Sequence, residues 1–408
     1  MDRRIVITGI GVVTPIGTGR EEFWASLLAG HSGIAPVQSF DTSGYNVHRG
    51  AEVKAFRSEQ YILNLDAAHL GRASQFAIAA ARLALVDAGV EIGFLDRKRA
   101  GVSMGTTSGE PLEVERFDDL YVNKNLDTIG PEFLARYPCH VIAAHVASEL
   151  NFAGVNTMIP TACAAGNYAI AHALDVMRAG RADLMLAGGS DAFSRITFTG
   201  FARLGAVAPE TCQPFDRFRK GMIPGEGAGV LVLERLDAAR RRGARIYAEV
   251  GGYGLSCDAH HMTAAHPQGD GAERAMRQAL ADSGTNTEEV SYISAHGTGT
   301  ATNDRLETIA VKRLFKDAAY RVPISSIKSM LGHTMGAASA IEAAVCALAV
   351  FNDRVPPTIN LNDPDPECDL DYVPKFARDL RVNVAMNNAY AFGGNNASLI
   401  LKKQELSN

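Results

Sequence analysis

No two of the six cysteines, at 139, 163, 212, 257, 346 and 368, form a CxxC pair, which leaves a disulfide framework and a zinc site without support. A basic excess is also missing. The net charge is −5, so the chain carries no electrostatic footprint for nucleic acid. The local run Arg240-Arg241-Arg242, with Arg245 nearby, follows Glu234 and Asp237 and reads as a solvated helix face. Long uninterrupted apolar runs are absent too: the Ala-rich stretch Ala337 to Val350 is broken by Glu342 and reads as too short for a bilayer. After Asp2-Arg3-Arg4 an apolar strand begins at once, with no leader, so a soluble cytoplasmic protein that engages no membrane is expected. Gly9-x-Gly11 after a strand lacks the rest of a dinucleotide fingerprint, because Thr14 stands where a third Gly or Ala is required and Pro15 follows. There is no GxSxG elbow; Gly105-Thr106-Thr107-Ser108-Gly109 has the wrong spacing for a hydrolase serine.

What remains is a large globular chain that repeats itself. With 408 residues, 47% of them hydrophobic, and 39 glycines, it can bury a sizeable, tightly packed core. Ile5 to Ile10 reads as a β-branched strand, and the pattern Thr18-x-x-Glu21 predicts a capping box opening a helix that stops at Gly30. Helix then strand recurs at Ala77 to Ala88 and Ala100 to Met104. Ala84-Leu85-Val86-Asp87-Ala88-Gly89 has a second copy in Ala279-Leu280-Ala281-Asp282-Ser283-Gly284. In both halves the next strand runs into a small polar loop, and a Gly/Ala helix follows, after Cys163 and again after Gly336. Alternation argues an α/β fold, and the internal match argues duplication. The seam falls near 245–252, giving halves of 1–246 and 247–408. Segments 36–70, 110–140 and 195–225 lengthen the first half and should cover a site.

Thr161-Ala162-Cys163-Ala164-Ala165-Gly166 puts one thiol between a short extended segment and a small-residue helix, where the positive helix end and free amides favour thiolate. Cys163 is therefore the candidate nucleophile. Ser294-Ala295-His296-Gly297-Thr298-Gly299-Thr300 ends a strand in a histidine, permissive glycines and two hydroxyls. Ser325-Ser326-Ile327-Lys328-Ser329-Met330-Leu331-Gly332-His333 places a lysine and a second histidine before the Ala-rich helix. Single histidines are commonly structural. Two of them and a lysine at corresponding strand ends of a duplicated fold point to chemistry.

On these motifs the chain resembles the β-ketoacyl-acyl-carrier-protein synthases of the type I/II elongating class, in the thiolase superfamily. The likeness runs from Val6-Thr8-Gly9-Gly11 to Phe392-Gly393-Gly394, with Cys163, His296, Lys328 and His333 in the family's order. It implies a five-layered αβαβα fold, a homodimer, and decarboxylative Claisen condensation without metal or bound organic cofactor. The phosphopantetheine arm is then delivered by an acyl carrier protein. By the same resemblance Cys163 takes the acyl group and His296 and His333 donate to the malonyl thioester oxygen. Lys328 and, near it, Glu307 support the site. The amides of Cys163 and Phe392 form an oxyanion hole, Phe392 with Gly393-Gly394 acts as a gate, and Thr298 and Thr300 contact pantetheine. His333, where initiating synthases carry Asn, and the lack of a second cysteine near Phe392 separate the chain from initiating synthases and thiolases.

Departures from the family pattern concern the substrate. Ala164-Ala165-Gly166 stands for the usual Thr-Ser-Gly, Asn395 for a threonine, and Ser108 for an apolar residue at the acyl-pocket floor. Basic residues at the carrier entrance are thin, with Arg72, Lys124 and Arg203 as approximate matches. Bulk fatty-acid elongation and a specialised type II polyketide or polyene pathway, with a second subunit, both stay open; the alternative reading is that this chain is a ketosynthase-like subunit of a heterodimer that binds carrier protein and sets chain length.

Overall fold

The computed structural model describes residues 4–124, 127 and 129–404; the start of the chain at Asp2-Arg3 lies outside these. An eleven-stranded sheet runs through the molecule: ten strands lie along one path whose order repeats, and the short strand Gly17–Thr18 pairs with Ile5–Thr14 off that path. The first half supplies β1 (Ile5–Thr14), β2 (Ala100–Gly105), β3 (Asn156–Ile159), β4 (Leu184–Asp191) and β5 (Gly227–Arg235). The second supplies β6 (Ala248–Cys257), β7 (Tyr292–Ser294), β8 (Ile324–Ser325), β9 (Val384–Tyr390) and β10 (Asn395–Lys402). Along the sheet the order is β8-β7-β9-β10-β6-β1-β5-β4-β2-β3, so each half reads third, second, fourth, fifth, first. In each half the second strand is parallel to the third and fourth, while the fifth is antiparallel to the fourth and first. The halves join where Val6 faces Glu249 and Ile7 faces Ala248.

Helices form three layers around the strands. α1 (Arg72–Ala88) and α3 (Val141–Leu150) cover the outer face of the first half, with α2 (Pro111–Val122) between β2 and α3 in sequence. α4 (Ala165–Arg178) and α7 (Ala338–Asn352) lie centrally, where a single cluster takes Ile170 and Ile341 together with Met185 and Leu399 from strands of both halves. α5 (Asp270–Ser283) and α6 (Ala301–Phe315) cover the outer face of the second half. The period-two alternation of a strand does the sorting: in β4, Leu184 and Leu186 pack outward while Met185 and Ala187 pack inward. This is the expected five-layered αβαβα arrangement.

The repeated Ala-Leu-x-Asp-x-Gly segment has a physical reason. Each copy ends an outer helix, at Gly89 (φ 61°) and Gly284 (φ 59°), in the left-handed conformation that glycine tolerates. Two residues earlier the Asp reaches the bulged first strand of its half. Asp87 Oδ2 accepts the Ile10 N–H at 2.9 Å, and Asp282 Oδ2 accepts the Tyr253 N–H at 3.1 Å. The register shifts just before each contact, at Ile7/Gly9 and opposite Ile400/Leu401.

Three local expectations change. Gly9 and Gly11 lie inside β1 rather than in a turn after it, and a Cβ there would come within 2.1 Å of Ala84 O and 1.9 Å of Ala80 O. They make room for α1. The capping box at Thr18 does not form: the helix Arg20–Leu28 opens at Gly19 without a side-chain cap, and Thr18 N–H donates instead to Glu22 Oε2 at 3.0 Å. The Ala-rich stretch is longer than the sequence suggests. Met335–Asn352 would suit a membrane by length and composition, but 89% of it is buried inside the fold, as a core helix is.

Candidate active site

β3 delivers the chain to a tight turn, Ala162–Ala164, before α4 begins. Ala162 holds φ at 48°, a left-handed conformation that is uncommon for a residue with a Cβ and here immediately precedes Cys163. Small residues then let α4 approach its neighbours: a Cβ on Gly166 would sit 2.5 Å from Ala340 N, and one on Gly105 2.3 Å from Ala165 C. Cys163 is buried at the bottom of a cavity of about 210 Å³ that Thr298, Tyr390 and Phe392 also line. Burial pushes its thiol up to about 12, with Lys328 drawing it back. The resting group is thus a thiol, and the thiolate favoured by the helix end must form when a base takes the proton.

His296, whose Nδ1 has no hydrogen-bond partner among the described residues, can supply such a base, and His333 stands beside it. Their donor atoms and Cys163 Sγ all lie within 4.8 Å of one another, and the imidazole centroids are 5.6 Å apart. This trio is the candidate metal-ligand set among the described residues, built from the same atoms that acyl transfer requires. Burial first, and then Lys328, hold both imidazoles well below their ordinary pKa, so both are neutral. Met335 N–H donates to His333 Nδ1 at 3.1 Å, which places the ring proton on Nε2. Met335 reaches that position with φ 52°, matching Ala162 in the other half: Thr-x before α7 repeats Thr-x before α4. The His296 backbone is held differently. Glu307 accepts the N–H groups of His296 at 2.9 Å and Gly297 at 2.8 Å.

Lys328 is buried at 1% exposure, and its Nζ pairs with Glu342 Oε1. Glu307 therefore braces the His296 loop, and Glu342 is the lysine's ion-pair partner, a residue missed from sequence. Its signal was present as a lone carboxylate in an apolar run, since buried charges need a partner. Asp191 was missed as well. It accepts Thr107 N–H at 2.7 Å, Ser108 N–H at 2.9 Å and Gly336 N–H at 2.7 Å, tying the loop after β2 to the turn before α7.

Of the other expected residues, Thr298 and Thr300 line the cavity and hydrogen-bond each other at 2.9 Å. Phe392 stands at the rim, 38% exposed, with its ring 5.7 Å from Phe201. Gly393 (φ 81°) and Gly394 (φ 75°) follow, conformations a side chain would resist. Outside their own short turns, the N–H groups of Cys163 and Phe392 meet no backbone acceptor among the described residues, and the Cys163 amide faces its own thiol. Ser108 does not line this cavity; its Oγ lies 3.4 Å from Thr197 Oγ1. Segment 195–225 contributes Phe201, Ala206 and Met222 to the wall, whereas 36–70 and 110–140 contribute no lining residue. Arg72 is committed to Glu226 at 2.7 Å, while Lys124 and Arg203 are exposed.

A fold of two like halves with a buried Cys-His-His cluster where they meet defines a thiolase-like condensing class. Comparison with known proteins narrows it. Residues 2–239 match the family description "Beta-ketoacyl synthase, N-terminal domain", and residues 247–362 match "Beta-ketoacyl synthase, C-terminal domain". The chain belongs to the beta-ketoacyl synthase family. It is 40% identical over 410 residues to the 3-oxoacyl-[acyl-carrier-protein] synthase 2 of Synechocystis sp., covering 99% of both chains. Among solved structures it is similar to the ishigamide ketosynthase/chain length factor, with TM-score 0.96 and 44% identity over 99% of this chain and 100% of that one. A type II PKS ketosynthase solved with its acyl-carrier protein and bound to the hexaketide superimposes with TM-score 0.91 at 34% identity, over 99% of this chain and 100% of that one.

Proposed function

We propose that the chain elongates an acyl thioester with malonyl-acyl carrier protein by decarboxylative Claisen condensation. The observation that carries this is the convergence of Cys163, His296 and His333 within 4.8 Å in one buried cavity. In the first step a neutral imidazole takes the Cys163 proton, Sγ attacks the acyl carbonyl, and the proton leaves on the departing pantetheine thiol. In the second, the malonyl C–C bond breaks, CO2 departs, and the electron pair becomes an enolate whose oxygen accepts hydrogen bonds from the His333 Nε2–H and from His296. The carbanion attacks the acyl carbonyl. The resulting oxyanion is held by the N–H groups of Cys163 and Phe392, and its collapse releases Cys163 and the β-ketoacyl product.

The site assignments follow the same reading. Lys328, paired with Glu342, is the positive charge of the pocket; Glu307 fixes the His296 loop; Thr298 and Thr300 meet the pantetheine arm; Phe392 with Gly393-Gly394 gates the mouth. The protein needs no metal and no resident cofactor, since the carrier protein brings the phosphopantetheine arm. Residues 1–246 and 247–408 act as the two halves, with the site between them. Ser108 follows β2, whose Gly105 packs on Ala165 close to Cys163, and this supports a place for it at the far end of the acyl pocket.

A partner chain is part of the proposal. Tyr121 and Val122 on α2 and Leu134 on the short helix Glu132–Arg136 are exposed, an apolar surface that suits a second copy or a ketosynthase-like subunit. Retention of the complete Cys-His-His cluster makes this chain the condensing member of such a pair. The working environment is the cytoplasm, where carrier-protein substrates are made. Incubating the purified chain with hexanoyl- and malonyl-loaded carrier protein should yield the β-ketoacyl product, and Cys163→Ala should abolish it. Undiminished product from Cys163→Ala would refute the assignment.

A further inference from the structure

Tyr390, the last residue of β9, lines the same cavity as Cys163 and is 9% exposed. Its ring stands edge-on to His296 with centroids 5.7 Å apart. Its hydroxyl oxygen is buried and meets no hydrogen-bond partner among the described residues. Buried hydroxyls are nearly always paired, and an unpaired one beside reacting groups calls for a partner that arrives with the substrate. Burial holds the phenol well above its ordinary pKa, so it is a donor.

The acceptor follows by elimination and rests on the condensation reading. The acyl carbonyl has the N–H groups of Cys163 and Phe392, and the malonyl thioester oxygen has the two histidines. Thr298 and Thr300 are bonded to each other, and Asp258 is taken by Asn396 at 2.8 Å and the His266 N–H at 2.9 Å. The malonyl carboxylate remains, a charged group that cannot enter a buried cavity without a donor. We infer that the Tyr390 hydroxyl donates to the free carboxylate of the malonyl extender and holds it beside His296. Tyr390 is then a residue for choosing the extender, and acyl loading of Cys163 does not use it. Because the carboxylate keeps much of its charge as the C–C bond begins to break, the bond is held about equally in the bound ground state and the transition state. Its loss should raise KM and leave kcat nearly unchanged.

The test is Y390F in the full-length chain, with pantetheine thioesters as probes. The KM for malonyl-pantetheine decarboxylation should rise about ten-fold or more, as expected for a hydrogen bond to a charged group, with kcat within about three-fold. Hexanoyl loading of Cys163 should stay within about two-fold of the parent, and the thermal midpoint should not fall, since only an unpaired buried oxygen is removed. Acetyl-pantetheine, which lacks the carboxylate, should inhibit parent and Y390F equally. An unchanged malonyl KM, or a rise matched by an equal loss of hexanoyl loading, overturns the inference. A parent that takes no hexanoyl group overturns the condensation reading itself.

Discussion

Replacing Lys328 by methionine removes the one cation that faces Glu342 among the described residues. Lys328 and Glu342 are each 1% exposed, and the second carboxylate oxygen, Oε2, has no partner among the described residues, so the lysine is the whole of that carboxylate's compensation. An exposed pair would contribute about 0–1 kcal/mol, whereas breaking a buried one by deleting a partner costs about 3–5 kcal/mol. Burial already pushes Glu342 up to about 7, so the variant can escape by taking up a proton, which holds the cost near the lower figure. We expect Lys328→Met to lose about 3 kcal/mol by urea unfolding at pH 7.5. Adding Glu342→Leu should restore most of it, because a well-packed apolar pair replaces a buried ion pair without penalty. Acyl loading should remain impaired in both, since Lys328 draws the Cys163 thiol down. A loss under about 1 kcal/mol, or a double variant no more stable than Lys328→Met, would refute the reasoning.

Three further outcomes are expected. His333→Ala should lose on the order of 100-fold or more in malonyl decarboxylation while hexanoyl loading of Cys163 persists, measured as separate half-reactions; equal loss of both would argue against the division of labour. Glu307 is raised by burial from 4.5 to about 7, so the stability it contributes is full below about 4.5 and lost as pH rises through about 7. Glu307→Gln should accordingly flatten the fall of the thermal midpoint between pH 5 and 7.5, and an unaltered slope would contradict this assignment. Ser108→Phe should shorten the range of acyl chains accepted and spare short ones, because a packed interior cannot simply expand; an unchanged chain-length profile in the folded variant would place Ser108 outside the pocket.

The duplication was legible because local chemistry recurs: Asp87 and Asp282 each serve the bulged strand of their own half, so the same six-residue pattern had to appear twice. Cys163, His296 and His333 were legible because each follows a strand and precedes glycine or a small-residue helix. Glu342 was visible as an anomaly in an apolar run, but its pairing with Lys328, fourteen residues earlier, depends on how α7 packs against the loop before it. Gly9 and Gly11 misled because a glycine that admits a helix and one that forms a turn look alike in sequence. Thr18 failed as a cap because the strand pairing of β1 with Gly17–Thr18 carries the chain past it. Tyr390 gave no signal, since an aromatic at a strand end is ordinary until its hydroxyl is found buried beside His296.

The most direct test of the central claim is the mass of the chain after incubation with hexanoyl-pantetheine. One hexanoyl group should be added, located on the peptide containing Cys163, absent in Cys163→Ala, and discharged as a β-ketoacyl product when malonyl-pantetheine is added. A hexanoyl group on another residue, or an equal mass gain in Cys163→Ala, would contradict it.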